Sequence, residues 1–241
     1  MGKRTRSQRR GSSPKNKVSS HRFPAANRLP RVNGETGRVV DLVHSPAHTA
    51  PLAKVKFDDG TVGHIAAPEG ISIGQSVSFG DNVPLRPGNV TTLGQIPEGT
   101  PICNVECRPG DGGKLARSGG NSARLEARMD DKVRVRLPSG KHKDLPSKCR
   151  ATIGVLSGHG RAEKPLMKAG AAHYRAKARG KPYPTVSGVA MNPVDHPHGG
   201  GNHQAVHGPS SVSRNAPPGQ KVGNIAPKRT GRGRSRQQEE T

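Results

Sequence analysis

The stretch LAKVKFDDGTVGHIAAPEG, residues 52–70, decides how the rest of the chain is read. Leu52, Val55 and Phe57 lie close to an alternating pattern, Asp58-Asp59-Gly60 has the chemistry of a tight turn, and TVGHIAA resumes on the other side. This is a hairpin with one face turned to a core. Upstream, GRVVDLVH (37–44) is a β-branched run that ends in a Ser-Pro loop; downstream, ISIGQSVSFG (71–80) supplies another short strand pair. Four or five short strands within about fifty residues, with no helical period, predict a small Greek-key barrel, of which the OB-fold is the best-known nucleic-acid binder.

A Pro/Gly-rich connector, residues 83–113, leads into a second β segment at 123–156. There Val133, Val135 and Leu137 alternate with Arg134 and Arg136 between DD and SG turns. The pattern predicts an SH3-like barrel with a basic outer wall, its valines serving the core and its two arginines available to phosphates. One basic helix is expected over 163–180, with Pro165 early in it and Gly180 and Pro182 closing it. Leu166, Ala169, Gly170, His173 and Ala176 or Lys177 trace a weak apolar stripe, while Lys168, Arg175, Lys177 and Arg179 charge the remainder. Beyond Lys181 regular structure fades into an extended tail. The expected organisation is therefore mainly β: a basic arm (1–33), an OB-fold barrel (34–85), an SH3-like barrel (86–163), and a short basic helix with an irregular basic extension (164–241).

Composition agrees with small cores and long extensions. The 241 residues include 32 Gly and 22 Pro, no Trp, two Tyr and three Phe, and only 29% are hydrophobic, which excludes a large aromatic core. Such segments bury too little surface to offset their ordering entropy, so a partner must order them. The formal charge of +23 makes that partner a polyanion, nucleic acid above all, since each cation that neutralises a phosphate releases counterions. No long apolar run or basic amphipathic helix with aromatic anchors points to a membrane. The first residues lack the apolar segment of a secretory signal, and their acid-free basic character is repeated at the far end, unlike a transit peptide. An odd count of three cysteines without an export signal fits a reduced cytoplasmic setting.

Several motifs invite enzymatic readings. RPGDGGKLARSGG (108–120) has the glycines of a phosphate loop, but Arg108 stands where the first glycine belongs and Leu115 where the Ser or Thr belongs. It reads instead as a loop for close approach to folded RNA, with Lys114 and Arg117 as its charges. Cys103 and Cys107 are separated by three residues and Cys149 is remote, so a zinc ribbon lacks its second pair; buried, inert thiols are the simpler reading. In VAMNPVDHPHGGGNHQAVH (189–207), Asp195, His196, His198, His203 and His207 could be metal ligands or an acid/base centre of a metal-dependent hydrolase. Pro193, Pro197 and Gly199-Gly200-Gly201 forbid a helix, and no nucleophile motif accompanies the histidines. Compact Asn, Asp and His groups in a glycine- and proline-shaped loop are better suited to threading between RNA strands. A DNA-compacting architectural protein is the remaining rival, and it lacks an intercalating apolar wedge.

At these residues a family resemblance is specific. RPGDGGKLARSGG, CRATIGV (149–155), KAGAAHYRAKARG (168–180) and above all GVAMNPVDHPHGGG (188–201) resemble the universal ribosomal large-subunit protein two, over about residues 2–234. The start GKRTRSQRRG and the tail NAPPGQKVGNIAPKRTGRGR look like the archaeal and eukaryotic branch. The resemblance implies an OB-fold followed by an SH3-like barrel with both extensions buried in large-subunit rRNA. It also implies contact with small-subunit rRNA at an intersubunit bridge, other ribosomal proteins as neighbours, and support of subunit association, tRNA binding and peptide-bond formation. Neither cofactor nor small-molecule substrate is expected, and catalysis belongs to the RNA. The expected rRNA contacts are Lys3, Arg4, Arg6, Arg9, Arg10, Lys15, Lys17 and Arg22 in the arm, with Lys114 and Arg117 in the glycine loop. Along and after the helix they are Lys168, Arg175, Lys177, Arg179 and Lys181. The histidine loop adds Asn192, Asp195, His196, His198, Gly199, Gly200 and Gly201, with His196 in a positioning role, and the tail adds Lys228, Arg229, Arg232 and Arg234.

Overall fold

The computed structural model describes residues 14, 17–18, 20–31 and 35–228. They divide into two units, Val18–Arg179 and a second made of residues 180–228 with 14 and 17.

The larger unit is built on one ten-stranded sheet. Its strands are β1 (Glu35–Val43), β2 (Leu52–Phe57), β3 (Val62–Ala66), β4 (Ser76–Phe79), β5 (Val90–Thr92), β6 (Pro101–Cys103), β7 (Ala123–Arg128), β8 (Lys132–Arg136), β9 (His142–Pro146) and β10 (Arg150–Ile153), in the order β3-β2-β1-β4-β5-β10-β6-β7-β8-β9. The fold is mainly β, an OB-fold barrel followed by an SH3-like barrel, with one short α-helix among the described residues.

The opening hairpin forms as its pattern demands. β2 and β3 pair antiparallel from Leu52↔Ala66 to Lys56↔Val62. The turn closes through Gly60 N–H to Phe57 O (3.0 Å), while Asp59 Oδ1 accepts from Thr61 N (2.8 Å) and Thr61 Oγ1 (2.7 Å). Those bonds hold the Asp59 carboxyl below the usual carboxylate range. Val55 and Phe57 enter a core with Val39, Ile65, Val77 and Phe79, where Phe57 and Phe79 meet edge to face at 5.0 Å. The β-branched run of β1 does not alternate throughout: a bulge between Val39 and Asp41 leaves Val39 buried and Val40 exposed. Asn27 and Leu29, within the stretch expected as an arm, are buried instead; Asn27 Oδ1 accepts from Ala66 N (3.1 Å) and Leu29 joins the first core.

The second core gathers Leu93, Ile96, Ile102, Val105, Leu125, Val133, Val135 and Leu145. Four of these come from the 83–113 segment read as a connector, which contributes β5, β6 and the turn Leu93–Gln95. Strands of three residues between prolines and glycines carry too few positions for alternation to register. β8 shows the expected alternation, Val133 and Val135 inside and Lys132, Arg134 and Arg136 outside, but stops before Leu137. Leu137 N–H bonds Lys141 O (2.9 Å) and so opens the hairpin turn that carries Pro138.

The two barrels are joined by β5 and β10. β5 pairs in parallel with β4 at Phe79↔Val90 and antiparallel with β10 from Arg150↔Thr92 to Thr152↔Val90. At this seam lies Glu106, fully buried. Its carboxylate accepts from Gly110 N (3.1 Å), Gly112 N (3.0 Å), Arg150 N (3.0 Å) and Arg150 Nη2 (3.0 Å), and Arg150 Nη1 continues to Pro30 O (2.8 Å). Truncating one partner of such a pair leaves an unsatisfied buried charge. Glu106→Ala is expected to lower the stability of the full chain by about 3–5 kcal/mol in chemical denaturation without RNA. A loss below about 1 kcal/mol would show that the seam does not depend on this ion pair.

Candidate nucleic-acid interface

The glycine loop after β6 is held from inside. Besides Glu106, the Asp111 carboxylate accepts from the amides of Cys107 and Arg108 (3.3 Å each) and Gly113 (3.3 Å). The amides of Cys107, Arg108, Gly110, Gly112 and Gly113 are therefore taken up by the chain's own carboxylates. Gly113 has φ +83°, and a Cβ there would collide with Asn104 Oδ1, so the loop needs glycine at this point. Lys114 is exposed and pairs with Asp111 at 3.6 Å, a surface ion pair that contributes little. Arg117 has a different part: half-buried, it donates to Gly113 O (3.3 Å) and Asn27 O (2.6 Å), and burial followed by the Arg28 charge lowers its pKa. It binds the loop to the incoming chain, with part of its guanidinium committed to that duty.

The helix, α1, runs over Ala169–Ala178, six residues shorter at its start than the sequence pattern predicts. Residues 162–168 offer no Ser, Thr, Asn or Asp to cap a helix, and Lys168 is extended, at φ −128° and ψ 139°. Pro165 and Leu166 lie in an irregular lead-in, not the first turn. Leu166, Ala169, Gly170 and His173 are exposed, so the expected apolar stripe faces no core; Ala178 is the buried residue of the helix. Lys168, Arg175 and Lys177 are exposed and Arg179 is half-buried. No Asp or Glu lies in the helix, and among the described residues no carboxylate pairs with these four cations.

Arg134 and Arg136 stand on the outer wall as predicted but meet acids across the sheet. Arg134 Nε is 2.9 Å from Asp144 Oδ1, and Arg136 Nε is 4.0 Å from Glu126 Oε1. Exposed pairs of this kind are weak and exchange readily for other anions. Cys103 and Cys149 are buried, and burial pushes their thiols up to about 12 and about 11, where they remain protonated and inert. Cys107 is half-buried with Lys143 Nζ 3.8 Å from its sulfur.

The smaller unit contains the histidine loop, flanked by a 3-10 turn at Gly188–Ala190 and a parallel pair, β11 (Ser211–Val212) and β12 (Asn224–Ile225). The loop folds on itself through backbone bonds: Asp195 N to Asn192 O (2.9 Å), Gly199 N to His196 O (3.0 Å) and Gly200 N to Met191 O (3.1 Å). His196 Nδ1 accepts from His198 N (3.0 Å), and the two rings meet edge to face at 5.0 Å. The His196 ring lies so close to Gly188 that a Cβ there would collide with its Cε1. Gly200, at φ +87°, leaves equally little room beside Pro193. Burial, then the His198 charge, lowers the His196 pKa, so its imidazole is neutral at pH 7 and serves as acceptor. His207 Nε2 sits 3.1 Å from Gly200 O. Asn192 and Gly201 are exposed, whereas Asp195, His196, His198, Gly199 and Gly200 are half-buried. Among the described residues no three His, Cys, Asp or Glu side chains are grouped to hold a metal ion. The loop forms a compact knob of backbone, rings and amides.

Lys17, Lys181 and Lys228 are exposed. Lys3, Arg4, Arg6, Arg9, Arg10, Lys15, Arg229, Arg232 and Arg234 lie outside the described residues, as does the Arg22 side chain. Sequence reasoning missed Glu106 and Arg150, the pair on which the glycine loop rests. Their one signal is local: an isolated acid just before a glycine run, and a charged residue opening an otherwise uncharged RATI strand.

Comparison with known proteins gives this basic, glycine-rich surface its context. A family model for "Ribosomal Proteins L2, RNA binding N-terminal domain" matches residues 5–79, and one for "Ribosomal Proteins L2, C-terminal domain" matches residues 86–233. Large ribosomal subunit protein uL2 of Haloquadratum walsbyi is 51% identical over 237 residues, covering 97% of this chain and 98% of that protein. The proteins of the same description from Methanococcoides burtonii and Methanothermobacter thermautotrophicus are each 50% identical, covering 96% and 97% of this chain and 100% of their own length. With two family models spanning most of its residues and half its sequence shared with these relatives end to end, the chain belongs to the ribosomal protein L2 family.

Proposed function

We propose that this chain is a structural, rRNA-binding constituent of the large ribosomal subunit, and that it acts by joining RNA segments rather than by catalysis. The observation that carries the reading is the 50–51% identity over 96–97% of the chain to large-subunit proteins, with the matched N-terminal family model described as RNA binding. The described structure supports a mechanism. Lys114, Lys168, Arg175, Lys177, Arg179 and Lys181 offer positive charge to phosphates, and each contact releases counterions. The histidine loop, Asn192 to Gly201, offers a compact surface of donors and acceptors suited to RNA shape. In this reading residues 1–33 and 164–241 bind RNA around the two barrels, 34–85 and 86–163. Lys3, Arg4, Arg6, Arg9, Arg10, Lys15, Lys17 and Arg22 serve at one end, and Lys228, Arg229, Arg232 and Arg234 at the other.

The finer role is support of subunit association, tRNA binding and peptide-bond formation near the RNA reaction centre, with a contact to small-subunit rRNA and to neighbouring ribosomal proteins. His196 is a positioning residue in it: a neutral ring that receives the His198 amide and fills the space beside Gly188.

Sedimentation of lysate at low and high salt tests the assignment. The chain is expected to stay with large subunits through a salt wash, and its recovery at the top of the gradient would overturn the reading. Removal of residues 2–17, which stops short of buried Asn27 and Leu29, should weaken rRNA binding and flatten its salt dependence. The log–log slope should shrink by about 0.9 for each phosphate that the arm neutralises, and an unchanged slope would show that this arm touches no phosphate. His196→Ala should reduce assembly of the chain into subunits while leaving the peptidyl-transfer rate of correctly assembled particles at the parental value. A rate loss in fully assembled particles would give the ring a direct chemical part. Because the folded pKa of His196 is lowered, the loop should be most ordered above the ordinary imidazole range, about pH 6.5, and loosen as pH falls through the lowered value. Hydrogen exchange at the His198 amide reads this directly.

A further inference from the structure

The larger unit has a cleft of about 670 Å³ bounded by His48 and Thr49 on the β1–β2 loop, Arg161 and Lys164 before the helix, the Pro165-Leu166-Met167 lead-in, Arg175 on α1 and Arg179 just after it. Its size falls within the range of roughly 300–1,000 Å³ of small-ligand sites. Two properties set it apart from a solvated basic surface. Its lining contains five cations, Arg161, Lys164, Lys168, Arg175 and Arg179, and no Asp or Glu. Beside them sits an apolar ledge left without a partner: Met167 is 86% exposed and Leu166 42%.

Arg161, Arg175 and Arg179 line the same cleft. Burial, then the charges of Arg175 and Arg161, lowers the Arg179 pKa. Convergent guanidiniums without a counter-charge are stabilised by an anion that several can share, and a phosphate accepts from guanidinium forks in that way. Arg161 is fixed in place by its Nε bond to Gly119 O (3.2 Å). The opposite wall is also fixed: Ser45 Oγ lies 2.6 Å from His48 Nδ1, and Phe23 meets the His48 ring edge to face at 4.9 Å. Burial and then the Arg117 charge lower the His48 pKa, so this wall is a neutral ring.

Phosphate clamp and apolar ledge side by side match the two halves of a nucleotide. We propose that this cleft holds one unstacked nucleotide of RNA, its phosphate shared by Arg161, Arg175 and Arg179 and its base lying on the ledge of Pro165, Leu166 and Met167. An acidic peptide would use the arginines and leave the ledge bare; a duplex would meet the arginines but bury its bases in its own stack. The apolar ledge offers the base a face and no hydrogen-bonding side chain, so it holds an unpaired nucleotide by shape and contact. The assignment rests on the rRNA-binding reading above and sharpens it to a subsite.

The test places a diazirine-bearing methionine analogue at position 167 of the full chain, purifies large subunits and maps the photocrosslink by reverse transcription. One dominant crosslinked nucleotide, unpaired in the rRNA, is expected. Crosslinks spread along a paired helix, to another protein, or to nothing while the chain is present in the subunit overturn the subsite and leave the ribosomal reading intact. Absence of the chain from subunits overturns that reading and the subsite with it. In parallel, binding of full-length variants to large-subunit rRNA is compared across salt concentrations. Met167→Ala should weaken binding about fivefold with an unchanged salt slope, from the loss of apolar surface under the base, while Met167→Leu stays near the parental affinity. Arg175→Ala with Arg179→Ala should flatten the slope by about 0.7–0.9, the loss of one neutralised phosphate. Parental affinity in Met167→Ala, or an unchanged slope in the double variant, removes the base ledge or the phosphate clamp respectively.

Discussion

The Glu106 carboxylate is the constraint on which the larger unit depends. It sits fully buried at the point where β10 enters the sheet, and through four accepted hydrogen bonds it fixes two loop amides and the backbone and side chain of Arg150. Arg150 reaches on to Pro30 O, and Leu29 N–H meets Gly112 O at 2.9 Å. The chain leading into the first barrel, the strand that joins the barrels and the glycine loop are thereby tied to a single internal anion. A protein with a net charge of +23 has reason to carry such an anion inside: its loop is ordered before any phosphate arrives, so less ordering entropy opposes binding.

Two kinds of cation differ in their duty among the described residues. Arg117 and Arg150 are engaged by backbone carbonyls and an internal carboxylate and serve the fold. Lys114, Lys168, Arg175 and Lys177 are exposed, and the helix cations face no acid among the described residues. Sequence alone assigns both Lys114 and Arg117 to RNA because charge, unlike hydrophobicity, carries no periodic mark of burial. The two stand three residues apart in one loop, yet Arg117 is anchored at Asn27 and Lys114 is exposed.

Legibility follows the same physical line. The hairpin at residues 52–66 and the β8 alternation are readable because a half-buried strand must alternate, and a tight turn must have its Asp-Gly chemistry. β5 and β6 are not, since three residues are too few to establish a period. The helix begins later than its pattern suggests because Pro165 suits a first turn, whereas the absence of a capping side chain decides that the turn does not form there. In the histidine loop, prolines and glycines correctly exclude a helix. What they cannot reveal is that His196 accepts the His198 amide and occupies the space beside Gly188, a relation created only when the loop closes on itself.

The order of strands has a consequence for how the chain is made. β5 at Val90–Thr92 needs β10 at Arg150–Ile153 as its antiparallel neighbour, and β10 also carries β6 on its other side. During vectorial synthesis the first barrel therefore emerges with one edge open, and that edge closes only when the second barrel has been translated nearly to its end. The sheet is therefore complete only once β10 is in place between β5 and β6, and this strand, the last of the ten in the chain, is its latch.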